Sequence, residues 1–93
     1  MKIAQIKLQI LPVLQKHSVK KAGIFGSYVK GTFTDQSDVD ILVELPKTIS
    51  LLDFVGIKLE LEDILLKKVD LVEYQAIKPA LKKQILNEAI AIL

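Results

Sequence analysis

The spacing of hydrophobic residues changes several times along the chain, and each change predicts an element. Apolar residues recur every three to four positions over residues 3–16, which predicts an amphipathic helix. Pro12 lies within this repeat, so we expect a kink or an early end of the helix there. A short apolar run over 22–25 predicts a strand. Strict alternation over 39–45 predicts a second strand, which Pro46 ends.

The second half of the chain continues the alternation of helices and strands. Residues 50–53 have the spacing of a capping box and predict a helix over 51–67. A third strand is predicted over 69–74. Pro79 suits the first turn of a final helix, whose apolar repeat continues to Ile92.

This element order predicts an α/β (α+β) fold, with helices packed on one small mixed sheet of about three to four strands. The length of 93 residues fits a single domain over 1–93. Isoleucine, leucine and valine supply 35 residues, and 51% of the chain is hydrophobic, which is too apolar for a disordered tail. A separate substrate domain has no room in this length.

Charge and composition remove several classes of function. All 13 basic residues are lysines against 11 acidic residues, so the net charge of +2 gives no reason to expect direct nucleic-acid binding. The absence of cysteine excludes disulfides and thiolate metal sites. The single histidine, His17, argues against a histidine-based zinc site and against a Ser-His-Asp triad. We expect His17 to be a surface or helix-capping residue. Without a signal peptide or a membrane-length apolar run, a cytoplasmic location is expected.

The predicted helix over 51–67 has more apolar surface than one sheet can cover. Two alternatives remain open for the excess: burial under the terminal helices, or a protein partner. The apolar positions form two stripes, one of Leu51, Leu52, Val55, Leu59 and Leu66 and another of Phe54, Ile57, Leu61, Ile64 and Leu65.

Acidic residues at the start of two strands are the first candidates for chemistry. Asp38 and Asp40 share a face because side chains alternate along a strand, and Asp70 has a similar place in the third strand. If these strands are neighbours, three carboxylates converge. Oxygen ligands of this kind suit Mg²⁺ or Mn²⁺, which usually share their coordination shell with substrate phosphates. Taken singly, an acidic pair at a strand entry also fits a solvated end or a helix cap.

Gly26 and Ser27 follow the first strand directly. Glycine allows close approach of the backbone, a helix start would direct N–H groups at an anion, and the serine hydroxyl adds a donor. Taken alone, this pair is better explained as a plain turn. The combination of this turn with the three carboxylates is what makes a phosphate-transfer site the preferred interpretation.

The segment Gly26-Ser27-Tyr28-Val29-Lys30-Gly31, followed by Ser37-Asp38-Val39-Asp40, resembles the signature of the minimal nucleotidyltransferase (MNT) family. This family belongs to the DNA polymerase β-like nucleotidyltransferase superfamily. A further aspartate after an intervening helix matches Asp70. The resemblance covers nearly the whole chain and implies a nucleotidyltransferase (polymerase β-like palm) fold.

The resemblance also implies a mechanism. Asp38, Asp40 and Asp70 would be the catalytic residues and hold Mg²⁺, with Mn²⁺ as an alternative. Gly26 and Ser27 would bind the phosphates of a nucleoside triphosphate, and AMP from ATP would pass to an acceptor hydroxyl that Asp70 helps to activate.

The sequence departs from the family at Lys30, where arginine is common. Lysine keeps the charge and loses the planar fork, so Lys30 either contacts phosphate or faces water with its stem packed. Tyr28 and Phe33 could stack on a base, with at least one of them expected simply to pack.

Members of the MNT family typically pair with a HEPN-domain toxin and act as its antitoxin. The resemblance therefore implies transfer of AMP to a tyrosine of that toxin. Two alternatives stay open: an antitoxin that blocks a HEPN RNase sterically, without catalysis, or a nucleotidyltransferase for a small hydroxylated acceptor. A homo-oligomer is also left open, and no membrane partner is expected.

Overall fold

The computed structural model describes residues 2–93 and consists of a four-stranded sheet with its helices distributed over both faces. The strand order is β3-β2-β1-β4. In chain order the elements are α1 (Ile3–Lys16), β1 (Lys21–Phe25), α2 (Ser27–Lys30), β2 (Val39–Glu44), α3 (Leu51–Leu65), β3 (Val69–Glu73), a 3-10 turn (Tyr74–Ala76), α4 (Pro79–Glu88) and β4 (Ile90–Ala91). The predicted small mixed sheet with packed helices is confirmed.

Strand pairing sets which residues meet across the sheet. β1 is antiparallel to both β2 and β4, whereas β2 and β3 are parallel and joined through α3. A parallel pair needs such a crossover, since a tight hairpin cannot connect the two strand ends. The central strands therefore bring the entry of β2 and the entry of β3 side by side.

The hydrophobic core lies on the face of the sheet that α1 and α3 cover. Alternate strand residues point into it, because successive side chains lie on opposite faces of a strand. The core residues contributed by the helices and the three main strands include Ile6, Ile10, Leu14, Ile24, Ile41, Val43, Ile57, Leu61, Leu65 and Leu71. The other face carries Gly23, Phe25, Asp40 and Leu42 of the central strands.

The first helix differs from its prediction at Pro12. α1 runs through this residue to Lys16 without a break, so the expected early end is wrong. Pro12 and Leu8, the residue whose carbonyl loses its hydrogen bond, are both exposed, and water can satisfy that carbonyl.

The end of the chain also differs. α4 ends at Glu88, and Ile90–Ala91 pair with β1, whereas the apolar repeat predicted helix to Ile92. Ile92 donates its N–H to the Ala22 carbonyl at 2.8 Å and is only 6% exposed. Pairing the free edge of β1 and burying Ile92 outweigh another helical turn, since α4 itself buries none of its residues.

α3 ends two residues earlier than predicted, with Leu66 in the left-handed conformation. The Ser50 hydroxyl accepts the Asp53 N–H at 3.0 Å, which confirms this residue as the N-cap. Ile57, Leu61 and Leu65 face the core. The other stripe (Leu51, Leu52, Val55, Leu59 and Leu66) is exposed, so its burial under the terminal helices is wrong.

Candidate active site

The glycine at the end of β1 lies against an acidic side chain of β2. Gly26 has φ 78° and ψ −148°, a backbone conformation that essentially only glycine adopts. A Cβ atom at this position would overlap the Asp40 carboxylate and lie 2.9 Å from its Cγ. The close approach thus explains why this turn needs glycine, and it places the turn beside Asp40.

Two of the three predicted acidic residues meet across the parallel strands. Asp40 and Asp70 are register partners in β2 and β3, which confirms that these strands are neighbours. Both Asp70 and Asp38 lie close enough to Asp40 to raise the pKa of its carboxyl group electrostatically. Asp38 itself lies exposed at the end of the loop before β2.

The electrostatics of the site are unbalanced. Burial, and then the charges of Asp70 and Asp38, raise the pKa of Asp40 from 3.8 to about 6. The salt bridges of residues 2–93 all lie elsewhere, on Glu60 and Glu88. A carboxylate cluster without a protein cation is suited to an external one.

Loop contacts fix the positions of these acids. Lys67 donates to the Asp35 carbonyl at 3.0 Å, tying the loop that carries Asp38 to the start of β3. The Glu62 carboxylate accepts the Val69 N–H at 2.9 Å, one residue before Asp70. Glu62 and Lys67 are therefore positioning residues for the acids, and the sequence motif gave no sign of them.

The other predicted binding residues lie in α2. Ser27 begins this single turn directly after Gly26, and the N–H groups of its first residues lack intrahelical acceptors by geometry. Lys30 ends the turn, and its Nζ lies 3.5 Å from Glu88 Oε2. Both side chains of this pair are partly exposed, so it contributes little to stability and can open. Glu88 was not anticipated from the sequence.

The two aromatic residues of this segment pack on each other. The rings of Tyr28 and Phe33 are stacked with centroids 4.5 Å apart and planes 4° from parallel. Tyr28 is buried and Phe33 is 40% exposed. The expectation that at least one of them packs is met by Tyr28.

A second concavity lies on the same sheet face under α4. Its volume is about 270 Å³, and Lys21, Gly23, Tyr74, Leu86, Ala89 and Ala91 line it. Lys21 Nζ lies 5.0 Å from the centre of the Tyr74 ring. Burial, together with the nearby Glu44 carboxylate, raises the pKa of Tyr74. The sequence did not predict this cavity, because it forms only when α4 crosses the sheet.

Residues 6–92 match the nucleotidyltransferase domain family. The chain belongs to this family. The predicted enzyme class and the resemblance to nucleotidyltransferases are therefore confirmed. Within residues 2–93 of this nucleotidyltransferase domain, no helix is both long and apolar enough to span a bilayer.

Curated relatives share this assignment over most of their length. The chain is 52% identical over 93 residues to a "putative protein adenylyltransferase" of Methanocaldococcus jannaschii, covering 100% of both chains. It is 38% identical over 78 residues to the protein adenylyltransferase MntA of Thermococcus cleftensis, covering 84% of this chain and 79% of that protein. The likeness thus extends to members named as protein adenylyltransferases.

Solved structures agree with the fold. A "putative minimal nucleotidyltransferase" superposes with a TM-score of 0.83 and 32% identity, covering 97% of this chain and 95% of that one. A toxin–antitoxin with AMP-PNP gives a TM-score of 0.81 and 25% identity, covering 94% and 72%. The tri-AMPylated HEPN toxin of Shewanella oneidensis in complex with MNT antitoxin, at 21% identity and a TM-score of 0.75, supports the fold alone; the coverage is 97% and 71%.

The donor set is chemically suited to a hard divalent cation. Asp40 and Asp70 offer adjacent oxygen ligands, and the raised pKa of Asp40 shows that their charge is uncompensated. No three acidic or histidine side chains in the described part of the chain are spaced to hold an ion by themselves. Substrate phosphate would therefore complete the coordination, as Mg²⁺ sites commonly require.

Proposed function

We propose that the chain is a metal-dependent protein adenylyltransferase that transfers AMP from ATP to a tyrosine of a HEPN-domain toxin and thereby acts as its antitoxin. One observation carries the proposal: the Asp40–Asp70 pair lies against the Gly26 turn, with an acidic charge that no lysine compensates. The family, the adenylyltransferase relatives and the neighbour with AMP-PNP support the donor.

In this proposal Asp38, Asp40 and Asp70 would hold Mg²⁺, or Mn²⁺ in its place, together with the phosphates of the substrate. The ion supplies charge neutralisation for the triphosphate and the leaving pyrophosphate. Asp40 would have to be deprotonated to bind a cation. The positive charge of that cation would outweigh the charges of Asp38 and Asp70 and lower the pKa of Asp40 again. Catalysis rests mainly on positioning and electrostatic stabilisation.

The Gly26–Ser27 turn binds the β- and γ-phosphates. Ser27 contributes its hydroxyl and backbone N–H, and Gly26 allows the phosphates to approach Asp40 closely. Lys30 contributes a point charge after leaving Glu88, since an exposed 3.5 Å ion pair is readily exchanged for a phosphate.

The transfer step forms one bond and breaks one bond. The tyrosine oxygen of the toxin bonds to the α-phosphorus of ATP, and the bond from that phosphorus to the bridging oxygen of pyrophosphate breaks. The phenolic proton would pass to the Asp70 carboxylate. The products are the adenylylated tyrosine and pyrophosphate.

The test uses ATP labelled at the α-phosphate, Mg²⁺ and a purified HEPN-domain toxin as acceptor. We expect label on the toxin and none after its acceptor tyrosine is changed to phenylalanine. Replacing Asp38 and Asp40 together by asparagine should lower labelling by at least ~100-fold. Asp35→Asn is the matched control, since it removes an exposed acid from the same loop and should leave labelling within about twofold.

Two outcomes would refute the proposal. Undiminished labelling by the double asparagine variant would show that the assigned acids are not the site. If the double asparagine variant fails to label the toxin but still fully rescues toxin-expressing cells, the chain neutralises its partner by binding alone.

A further inference from the structure

The outer side of α3 carries an apolar ridge that nothing in residues 2–93 covers. Leu52, Leu59 and Leu66 recur at intervals of seven residues and are 83%, 54% and 87% exposed. Val55 lies between the first two and is 40% exposed. We call these four residues the α3 ridge. A seven-residue repeat of leucines is the spacing with which one helix packs along another.

Leu66 supplies a second and independent observation. It ends α3 with φ 54°, a left-handed conformation that is strained for leucine and is usually taken by glycine. Its side chain is 87% exposed, so packing within the described chain does not compensate for the strain. The Leu66 N–H donates to the Glu62 carbonyl at 2.8 Å and so caps the helix, a role that glycine would fill with less strain. What leucine adds at this position is an exposed apolar side chain, which extends the ridge available for binding.

The charges of α3 indicate the character of the occupant. The helix contains four acidic residues and one lysine. Glu60 is paired with Lys16 and His17, and Glu62 accepts the Val69 N–H. Asp63, four residues after Leu59 and so beside the ridge, is exposed and forms no ion pair within residues 2–93. A matching helix would therefore carry lysine or arginine along one edge of its apolar seam.

A second copy of the chain is a poorer match than a foreign helix. Pairing of α3 with α3 would place acidic side chains against one another. The exposed face of α1 offers a single large apolar side chain, Leu8. α4 exposes Leu81 and Leu86 beside lysines, but an α3–α4 contact between copies is head-to-tail and would propagate rather than close.

We propose that the α3 ridge is the docking surface for a helix of the toxin partner, and that this helix presents an apolar seam flanked by cationic side chains. The proposal rests on the proposed function for the existence of that partner. α3 packs on the face of the sheet opposite to Asp40, because Ile57, Leu61 and Leu65 contact the core face. Stable docking and AMP transfer therefore use surfaces on opposite sides of the sheet.

The experiment measures the affinity between the full chain and the HEPN-domain protein by isothermal titration calorimetry. Leu59→Lys should weaken binding by at least ~30-fold, as expected for a central apolar contact. Leu66→Gly should weaken it by about fivefold while the thermal midpoint of the chain stays the same or rises, since glycine relieves the strained φ. A purely structural role for Leu66 would lower the midpoint instead.

Two controls separate docking from other effects. Leu81→Lys changes a leucine of similar exposure, 48%, on α4 and should bind as the unchanged chain does. Asp40→Asn should retain the complex while losing transfer. Asp63→Lys should weaken binding more at low salt than at high salt, because it opposes a cationic edge.

Each contrary result has a distinct meaning. Unchanged affinity for Leu59→Lys and Leu66→Gly, or equal weakening by Leu81→Lys, overturns the proposal. A dimer of the chain alone that Leu59→Lys dissociates makes a second copy the occupant and also overturns it. Failure of the unchanged chain to label the toxin refutes the proposed function, while the affinities still decide the docking surface.

Discussion

Two acidic sites in this small domain, Glu60 on α3 and the cluster of Asp38, Asp40 and Asp70, have opposite surroundings. Glu60 on α3 is partly exposed, and its carboxylate lies 3.2 Å from Lys16 Nζ and 3.0 Å from His17 Nε2 at the end of α1. Its hydrogen bonds to His17 and Lys16 hold the pKa of Glu60 below its ordinary value. Asp40 is half-buried and faces Asp70 and Asp38, and its pKa is raised to about 6.

The difference in surroundings is the reason for assigning Glu60 to the fold and for proposing Asp40 for chemistry. Of the 13 lysines, Lys16 pairs with Glu60 and Lys30 with Glu88, and within residues 2–93 none forms a salt bridge with Asp40. An acidic pair left uncompensated costs folding free energy, and this cost is offset only when an outside cation binds. Candidate function therefore lies where the fold leaves its charge unmatched.

The largest effect on this comparison is expected from Gly26→Ala. The new Cβ would overlap the Asp40 carboxylate, so this side chain would have to move. Alanine is also strained at the positive φ that Gly26 adopts. We expect AMP transfer to fall by at least ~100-fold and stability to fall by about 2 kcal/mol. Labelling of the toxin and urea unfolding measure the two losses.

Gly31→Ala is the matched control for that change. Gly31 has φ 75°, similar to that of Gly26, but no atom lies within 4 Å of an added Cβ. The control should therefore lose only about 1 kcal/mol of stability from the strained backbone and keep transfer within a few-fold. If both variants lose transfer equally, backbone strain and not contact with Asp40 explains the requirement for glycine.

The second prediction concerns the acid itself. Asp40 binds its proton more tightly in the folded chain than in the unfolded chain, so its contribution destabilises the fold as pH rises from about 4 through 6. Asp40→Asn should therefore be inactive yet more stable at pH 7, with the gain vanishing below pH ~4. The gap from 3.8 to about 6 corresponds to at most about 3 kcal/mol, and solvent screening of a half-buried group reduces the expected gain to about 1 kcal/mol.

Urea unfolding of both proteins at pH 4, 5, 6 and 7 checks this sign. Asp35→Asn provides the control, since it removes an exposed acid outside the cluster. Added Mg²⁺ with ATP should stabilise the unchanged chain and have a smaller effect on Asp40→Asn. The measured quantity is the unfolding free energy of Asp40→Asn minus that of the unchanged chain. If this difference is smaller at pH 7 than at pH 4, the acidic cluster is not repulsive.

The sequence predicted the parts of the fold that depend on local pattern. Alternation over 39–45 and the N-cap at Ser50 follow from side-chain periodicity and one hydrogen bond, and both are present. The end of the chain was not predictable in this way. Whether Ile90 continues a helix or joins an edge strand depends on the free edge of β1, where its partner Ile24 is 66 residues away along the chain.

The site shows the same division. Its acids and its glycine could be found from spacing, because strand period and turn chemistry are local. The partners Glu62, Lys67 and Glu88 could not, because each acts across a tertiary contact on a residue distant in sequence or on a backbone atom. The two stripes of α3 were visible in the sequence, but only the packing of α1 shows which one stays exposed.

The smallest effect, and the sharpest contrast in sign, is expected from Glu60→Gln. Because the pKa of Glu60 is lowered in the folded chain, its contribution is stabilising above pH ~4.5 and is lost as pH falls through the lowered value. Glutamine keeps the shape and can still accept from His17, so the thermal midpoint at pH 7 should fall by only about 2 °C. The loss should shrink in high salt and disappear at acid pH. Transfer of AMP should be unaffected, because Glu60 and its partners Lys16 and His17 lie between α1 and α3, on the covered side of the sheet. If Glu60→Gln is more stable than the unchanged chain at pH 7, ionised Glu60 destabilises the fold as Asp40 does. The contrast between the two acidic sites would then be wrong.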